Sequence, residues 1–152
     1  RTTSMSRKWF NNCVPTDINT SDKNFQELAQ NTIDIYIRNF DKYEISQACN
    51  NILNFAIKIN LYLNDEKPWV LIKDEHKKNN VKQIIYNVLE SNRIIGLLLN
   101  PIVSELSNNI LQQLGQIDKD NNNWKENLIW GKLKPGSKLP QPIPVIEKLE
   151  YE

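Results

Sequence analysis

The sequence predicts an all-α fold. A bundle of about five helices is expected over residues 1–116, followed over residues 117–152 by a loop and an extended C-terminal tail packing on the bundle. Three observations carry the prediction. Apolar residues recur at helical spacing in successive stretches between Met5 and Leu114. No stretch of strict two-residue alternation competes with them. Beyond Gly131, the residues Pro135, Gly136, Pro140, Pro142 and Pro144 make a continuous helix impossible. At 152 residues the chain is long enough for one domain with a sizeable core.

The first segment carries Met5, Trp9 and Phe10 as a helical apolar stripe ending before Asn11 and Asn12. Arg7 and Lys8 lie off that stripe and read as solvated charge rather than phosphate contacts. After a loop at Val14-Pro15-Thr16-Asp17, Ser21 or Asp22 can cap a second helix whose Phe25, Leu28, Ala29, Thr32 and Tyr36 share one face. The third helix has the strongest periodic signal, through Ile45, Ala48, Cys49, Ile52, Phe55, Ala56, Ile59 and Tyr62, so Cys49 reads as a small core residue. It must stop before Pro68, which lacks a backbone donor and pushes Lys67 away from helical angles, so the chain restarts with Trp69 at a corner.

The run from Lys73 to Asn80 is too charged for core. A fourth helix follows with Val81, Ile84, Ile85, Val88, Leu89, Ile95 and Leu99, in which Arg93 reads as an interhelical hydrogen-bonding group. Asn100 and Pro101 look like a helix restart, Asn as cap and Pro at the first helical position. Ile102, Leu106, Ile110 and Leu114 supply the face of that helix, and Gly115 its stop. The polar run Asn121-Asn122-Asn123 reads as loop, and the tail is expected to be anchored by Trp130, Leu133 and Ile143.

Charge and composition remove several functions. With 19 basic and 18 acidic residues the net charge is +1, which disfavours a sequence-blind electrostatic binder of DNA or RNA and leaves room for local recognition of a folded loop. Cys13 and Cys49 have no metal-ligand spacing, and one disulfide would add little to a helical core, so a reduced cytoplasmic protein is expected. No signal sequence and no apolar run long enough to cross a bilayer is present, which argues against a membrane partner. His76, the single histidine, has no Cys, Asp or Ser pattern beside it and reads as solvated. Gly-rich nucleotide loops, metal-ligand clusters and a nucleophile with a His partner are missing, so neither a catalytic residue nor a cofactor is expected in this stretch.

The corner at Trp69 is the candidate site. An aromatic plane beside Asn60 on the preceding helix and Lys73, placed one helical turn further on, would suit an unpaired RNA base. On residue physics alone, an aromatic at a Pro-marked turn is more often a core plug than a platform, and a helical protein-interaction scaffold without RNA binding is then the alternative.

The spacing Asn-x-Tyr-x-x-x-x-x-Pro-Trp, here Asn60, Tyr62, Pro68 and Trp69, resembles the helical anticodon-binding domain of methionyl-tRNA synthetases of bacterial type. The resemblance runs from the opening Arg1-Thr2-Thr3-Ser4-Met5 to the closing Trp130-Gly131-x-Leu133-x-Pro135-Gly136, and departs from the family at Ser104, where a second proline is common. It implies that Trp69 stacks on the first base of the CAU anticodon, and that Arg1 is the arginine of an Asn-x-x-x-Arg pair reading base edges. The Asn of that pair would precede residue 1. The resemblance thus implies a fragment cut inside the recognition helix, with Arg1 at a terminus expected to fray and RNA affinity reduced.

Arg1, Asn60, Trp69 and Lys73 are therefore the expected anticodon-binding residues. The implied partners are the tRNA for methionine and the catalytic domain of the full-length enzyme, against which the tail would pack; a monomer is expected because a C-terminal dimerisation module is not seen. In the family, ATP with Mg belongs to that catalytic domain, as do the His-Ile-Gly-His and Lys-Met-Ser-Lys-Ser signatures that this sequence lacks. The stretch alone should be inactive as a ligase.

Overall fold

The computed structural model describes residues 1–116 and 124–141. Five longer helices build the bundle: α1 (Thr2–Trp9), α2 (Lys23–Asp41), α3 (Ile45–Glu66), α5 (Lys78–Leu99) and α6 (Ser104–Gln113). Two four-residue helices, α4 (Pro68–Leu71) and α7 (Trp124–Asn127), and a 3-10 turn at Glu75–Lys77 complete the described helical elements. Strand-like pairing among the described residues is confined to one antiparallel bridge between Cys13 and Lys138.

Helix α5 is the axis of the molecule. It packs against α1, α2, α3, α4 and α6, and every residue from Ile84 to Ser91 and from Arg93 to Leu98 is buried. A helix covered on all sides must be apolar or internally paired all round. Of the faces expected of α2 and α3, Phe25, Ala29, Thr32 and Tyr36 and then Ala48, Ile52, Phe55 and Ile59 are buried beside it, joined by Ile33 and Leu63, whereas Leu28, Ala56 and Tyr62 are half-buried and Ile45 is exposed. Cys49 is only half-buried, at the margin of that face. Burial pushes the phenols of Tyr36 and Tyr62 up to about 12.

Of the two candidate caps for α2, Asp22 is the one used. Its Oδ1 accepts from the backbone N–H of Asn24 at 3.1 Å and of Phe25 at 3.4 Å, and its Oδ2 accepts from Asn87 Nδ2 on α5 at 3.1 Å. Asp22→Ala removes both the cap and the bridge, and is expected to lower stability by about 0.5 to 2 kcal/mol, read as a shift in the urea midpoint.

Three sequence expectations change. Asn100 and Pro101 do not restart a helix: they form a turn, and α6 begins at Ser104 with Val103 as its N-cap. Ser104, where the family often has proline, is thus the first helical residue, a position at which proline is compatible with the helix. Arg7 is not a free surface charge, because Arg7 Nε donates to the Pro140 carbonyl at 3.1 Å and a terminal nitrogen to Gln113 Oε1 at 3.4 Å. Arg93 keeps its interhelical role, joining α5 to α7 through the Asn127 carbonyl at 2.6 Å, and it also holds the Ile129 carbonyl just after α7 at 2.8 Å. Finally, α4 closes after Leu71, so Lys73 sits in a turn rather than one helical turn beyond Trp69.

The segment after α7 is anchored by backbone capture as much as by apolar burial. Leu128, Trp130, Leu133 and Leu139 are buried, whereas Ile143 and the Asn121–Asn123 run lie outside the described residues. Glu90 on α5 accepts from three successive backbone N–H groups: Gly131 at 2.7 Å, Lys132 at 3.1 Å and Leu133 at 3.0 Å. Gly131 is required there, since it has φ +88° and an added Cβ would come within 2.9 Å of the Thr20 carbonyl oxygen. Further along, the tail pairs with the loop after α1 through Gly136 N–H to Val14 O and Val14 N–H to Ser137 O, both at 2.9 Å.

Candidate nucleic-acid interface

The corner between α3 and α4 is built by Lys67, which has left-handed angles (φ 47°, ψ 58°) and at once ends α3 and begins α4. Pro68 at the first position of α4 leaves no donor unsatisfied, and the N–H groups of Val70 and Leu71 reach the Lys67 carbonyl at 2.8 and 3.3 Å. A lysine in this conformation is strained, by about 1 to 2 kcal/mol, so the corner is held by its surroundings rather than chosen locally. Its effect is to fix Trp69 where α3 ends.

Trp69 is half-buried and packs against the main apolar cluster. It is neither a fully enclosed plug nor a bare platform. The guanidinium of Arg1 lies over its ring, with the central carbon 4.5 Å from the ring centroid. Arg1 stands at the N-cap position of α1, and its Nη1 donates to Asn64 Oδ1 on the last turn of α3 at 3.1 Å. The fold thus brings Arg1 and Trp69, 68 positions apart in sequence, into one cation–π pair.

Asn60 is exposed one turn before Asn64 and lines, with Arg1, a cleft of about 610 Å³ between α1, α3, α5 and α6. The same cleft is lined by Asn92 and by apolar Ile59, Leu63 and Ile95. Of the four residues expected from the sequence, Arg1, Trp69 and Asn60 form one continuous surface through Arg1. Lys73 is exposed in the turn after α4, with no side-chain partner among the described residues. His76 is exposed in the 3-10 turn, and no group of three His, Cys, Asp or Glu among the described residues is placed to hold a metal ion.

Sequence reasoning missed Asn64 and Asn92. The signal for Asn64 was available, because it follows Asn60 by four residues and so lies on the same helical face. Asn92 interrupts the otherwise buried run of α5, but nothing in the pattern says which neighbour it would face.

This chain matches, over residues 14–152, the family described as the anticodon binding domain of methionyl tRNA ligase. It is 30% identical over 154 residues to a methionine–tRNA ligase of Caldanaerobacter subterraneus, covering 100% of this chain and 24% of that protein. A methionine–tRNA ligase of Thermotoga maritima is likewise 30% identical, over 99% of this chain and 24% of its own length. Among solved structures, the apo form of Mycobacterium tuberculosis methionyl-tRNA synthetase superposes with a TM-score of 0.85 at 26% identity, covering 100% of this chain and 31% of that one. The chain therefore spans about a quarter of the length of the curated relatives it matches. With the helical fold, the Pro68-Trp69 corner and a family match over most of its residues, the chain belongs to the family of anticodon-binding domains of methionyl tRNA ligase.

Proposed function

We propose that this chain recognises the CAU anticodon loop of the tRNA for methionine, as the RNA-reading part of a methionine–tRNA ligase that joins methionine to its tRNA using ATP and Mg in a separate catalytic domain. The observation that carries this reading is the Arg1–Trp69 pair beside the Asn60-lined cleft. It combines an aromatic plane, a fork of N–H donors and amide groups within one surface, the set that unpaired bases require for stacking and edge reading. Lys73 would contribute a phosphate contact from its turn. The near-neutral net charge fits recognition by a few directed contacts rather than by an electrostatic field, which also speaks against DNA as a partner. We read the protein as a cytoplasmic monomer whose remaining partner is its own catalytic domain; no helix among the described residues is long and apolar enough to cross a membrane.

Titration of the chain with RNA stem-loops at one fixed salt concentration tests the reading. A CAU loop should bind more tightly than loops altered at the first anticodon base; equal affinity for all loops would refute it. A protein-interaction scaffold is the second reading, favoured by Leu53, Ile57 and Leu61, which repeat every four residues on α3 and are 58%, 48% and 54% exposed. On that reading none of the loops binds.

A further inference from the structure

Resting on the anticodon reading, we propose that Asn64 is a positioning residue that latches Arg1 across Trp69, closing the stacking face in the RNA-free protein until a base displaces the guanidinium. Arg1 lies over the ring at 4.5 Å from its centroid, where a stacked base would have to lie, so base and guanidinium compete for one face. The latch is the Arg1 Nη1 to Asn64 Oδ1 hydrogen bond at 3.1 Å. Asn64 is half-buried on the last turn of α3, which the Lys67-Pro68 corner fixes relative to Trp69, so acceptor and ring are held together by one piece of backbone. No neighbouring group competes for the amide oxygen among the described residues.

Displacement sets a cost that every stacked base must meet, and bases differ in what they return to Arg1. A base that takes the ring strips Arg1 of both its aromatic face and its acceptor, and binding is tightest when the base returns hydrogen bonds to the guanidinium. Cytosine presents O2 and N3 as adjacent acceptors, matching the fork of an arginine. Uracil has the same shape but carries a proton on N3, so one N–H of the fork meets another donor. The latch therefore penalises stacking in general, and cytosine recovers the loss.

Two readouts on the 152-residue chain test this. The first needs no RNA: acrylamide quenching of the Trp69 emission, taken as the difference between each protein and its Trp69→Phe counterpart. Asn64→Ala should raise the Trp69 quenching constant, and Asn64→Asp, which keeps an acceptor for Arg1, should leave it at the wild-type value. The second is affinity for CAU and UAU stem-loops. Asn64→Ala should bind the UAU and CAU loops alike about 2- to 5-fold more tightly, the equivalent of one exposed cation–π contact, with the preference for CAU unchanged because the latch costs every base the same. An unchanged quenching constant in Asn64→Ala overturns the latch whether or not RNA binds. If quenching rises as expected but wild type shows no preference for CAU, the closed Trp69 face stands and the anticodon reading fails.

Discussion

Replacing Glu90 with glutamine is expected to lower the stability of the chain by about 3 to 5 kcal/mol, a large part of the roughly 5 to 15 kcal/mol that holds a domain of this kind together. Glu90 is fully buried and Arg93 nearly so, at 0% and 3% side-chain exposure. Their bidentate contact is short, 2.6 Å from Nη2 to Oε1 and 2.9 Å from Nε to Oε2. Between them they join α5 to the backbone at Asn127, Ile129, Gly131, Lys132 and Leu133. The glutamine amide replaces one acceptor by a donor, so it faces N–H groups with an N–H group of its own and leaves Arg93 as an uncompensated buried charge.

Urea denaturation should show the loss as a lower midpoint. Amide exchange should show it locally, with Gly131, Lys132 and Leu133 losing protection before the core of α3 does. Removing both charges, as in Glu90→Leu with Arg93→Met, should not recover the loss, because the N–H groups of Gly131, Lys132 and Leu133 are then left without their acceptor. A single Glu90→Gln variant with an unchanged midpoint would show that the tail does not depend on this pair.

The second large effect is expected at the corner. Trp69→Ala should weaken binding of the CAU stem-loop by about 5- to 150-fold, the equivalent of roughly 1 to 3 kcal/mol for one base stacked on an aromatic side chain. Because Trp69 also packs on the core, truncation alone mixes two effects. Trp69→Leu separates them, since it keeps an apolar plug and removes the aromatic plane. If Trp69→Leu is as stable as wild type but as weak in binding as Trp69→Ala, the ring acts on RNA; if it binds like wild type, Trp69 is a plug. Loss of Arg1 should instead reduce discrimination at the first base more than overall affinity, because on this proposal its donors read edges whereas stacking tolerates any base.

The helices were legible because their causes are local. Apolar spacing in α2 and α3, the proline at the α3–α4 corner and the prolines of the tail each act within a few residues, and Asp22 was one of two caps the sequence offered. The start of α6 was misplaced because Asn100-Pro101 satisfies the rule for a helix start better than Val103-Ser104, whose Val103 offers no side-chain cap. Arg7 and Glu90 were opaque for a different reason. The backbone groups they hold at Pro140 and Gly131 lie 133 and 41 positions away, and backbone atoms carry no residue-type signal.

At the site, Arg1 came from the family resemblance, whereas Trp69 and Asn60 were singled out by the sequence pattern. It placed Lys73 on a helical turn that α4 is too short to supply, and it gave no hint that Arg1 would cover Trp69, since that contact joins the start of the chain to its middle.

The central claim is that the first anticodon base stacks on Trp69. It is tested most directly by NMR of a CAU stem-loop labelled at that one cytosine, titrated with the chain. Stacking on the indole should move the cytosine H5 and H6 resonances upfield by ring current and give intermolecular NOEs to the Trp69 ring, both lost in Trp69→Leu. Binding of the loop with those resonances unmoved, or with NOEs to residues remote from Trp69, would contradict the account.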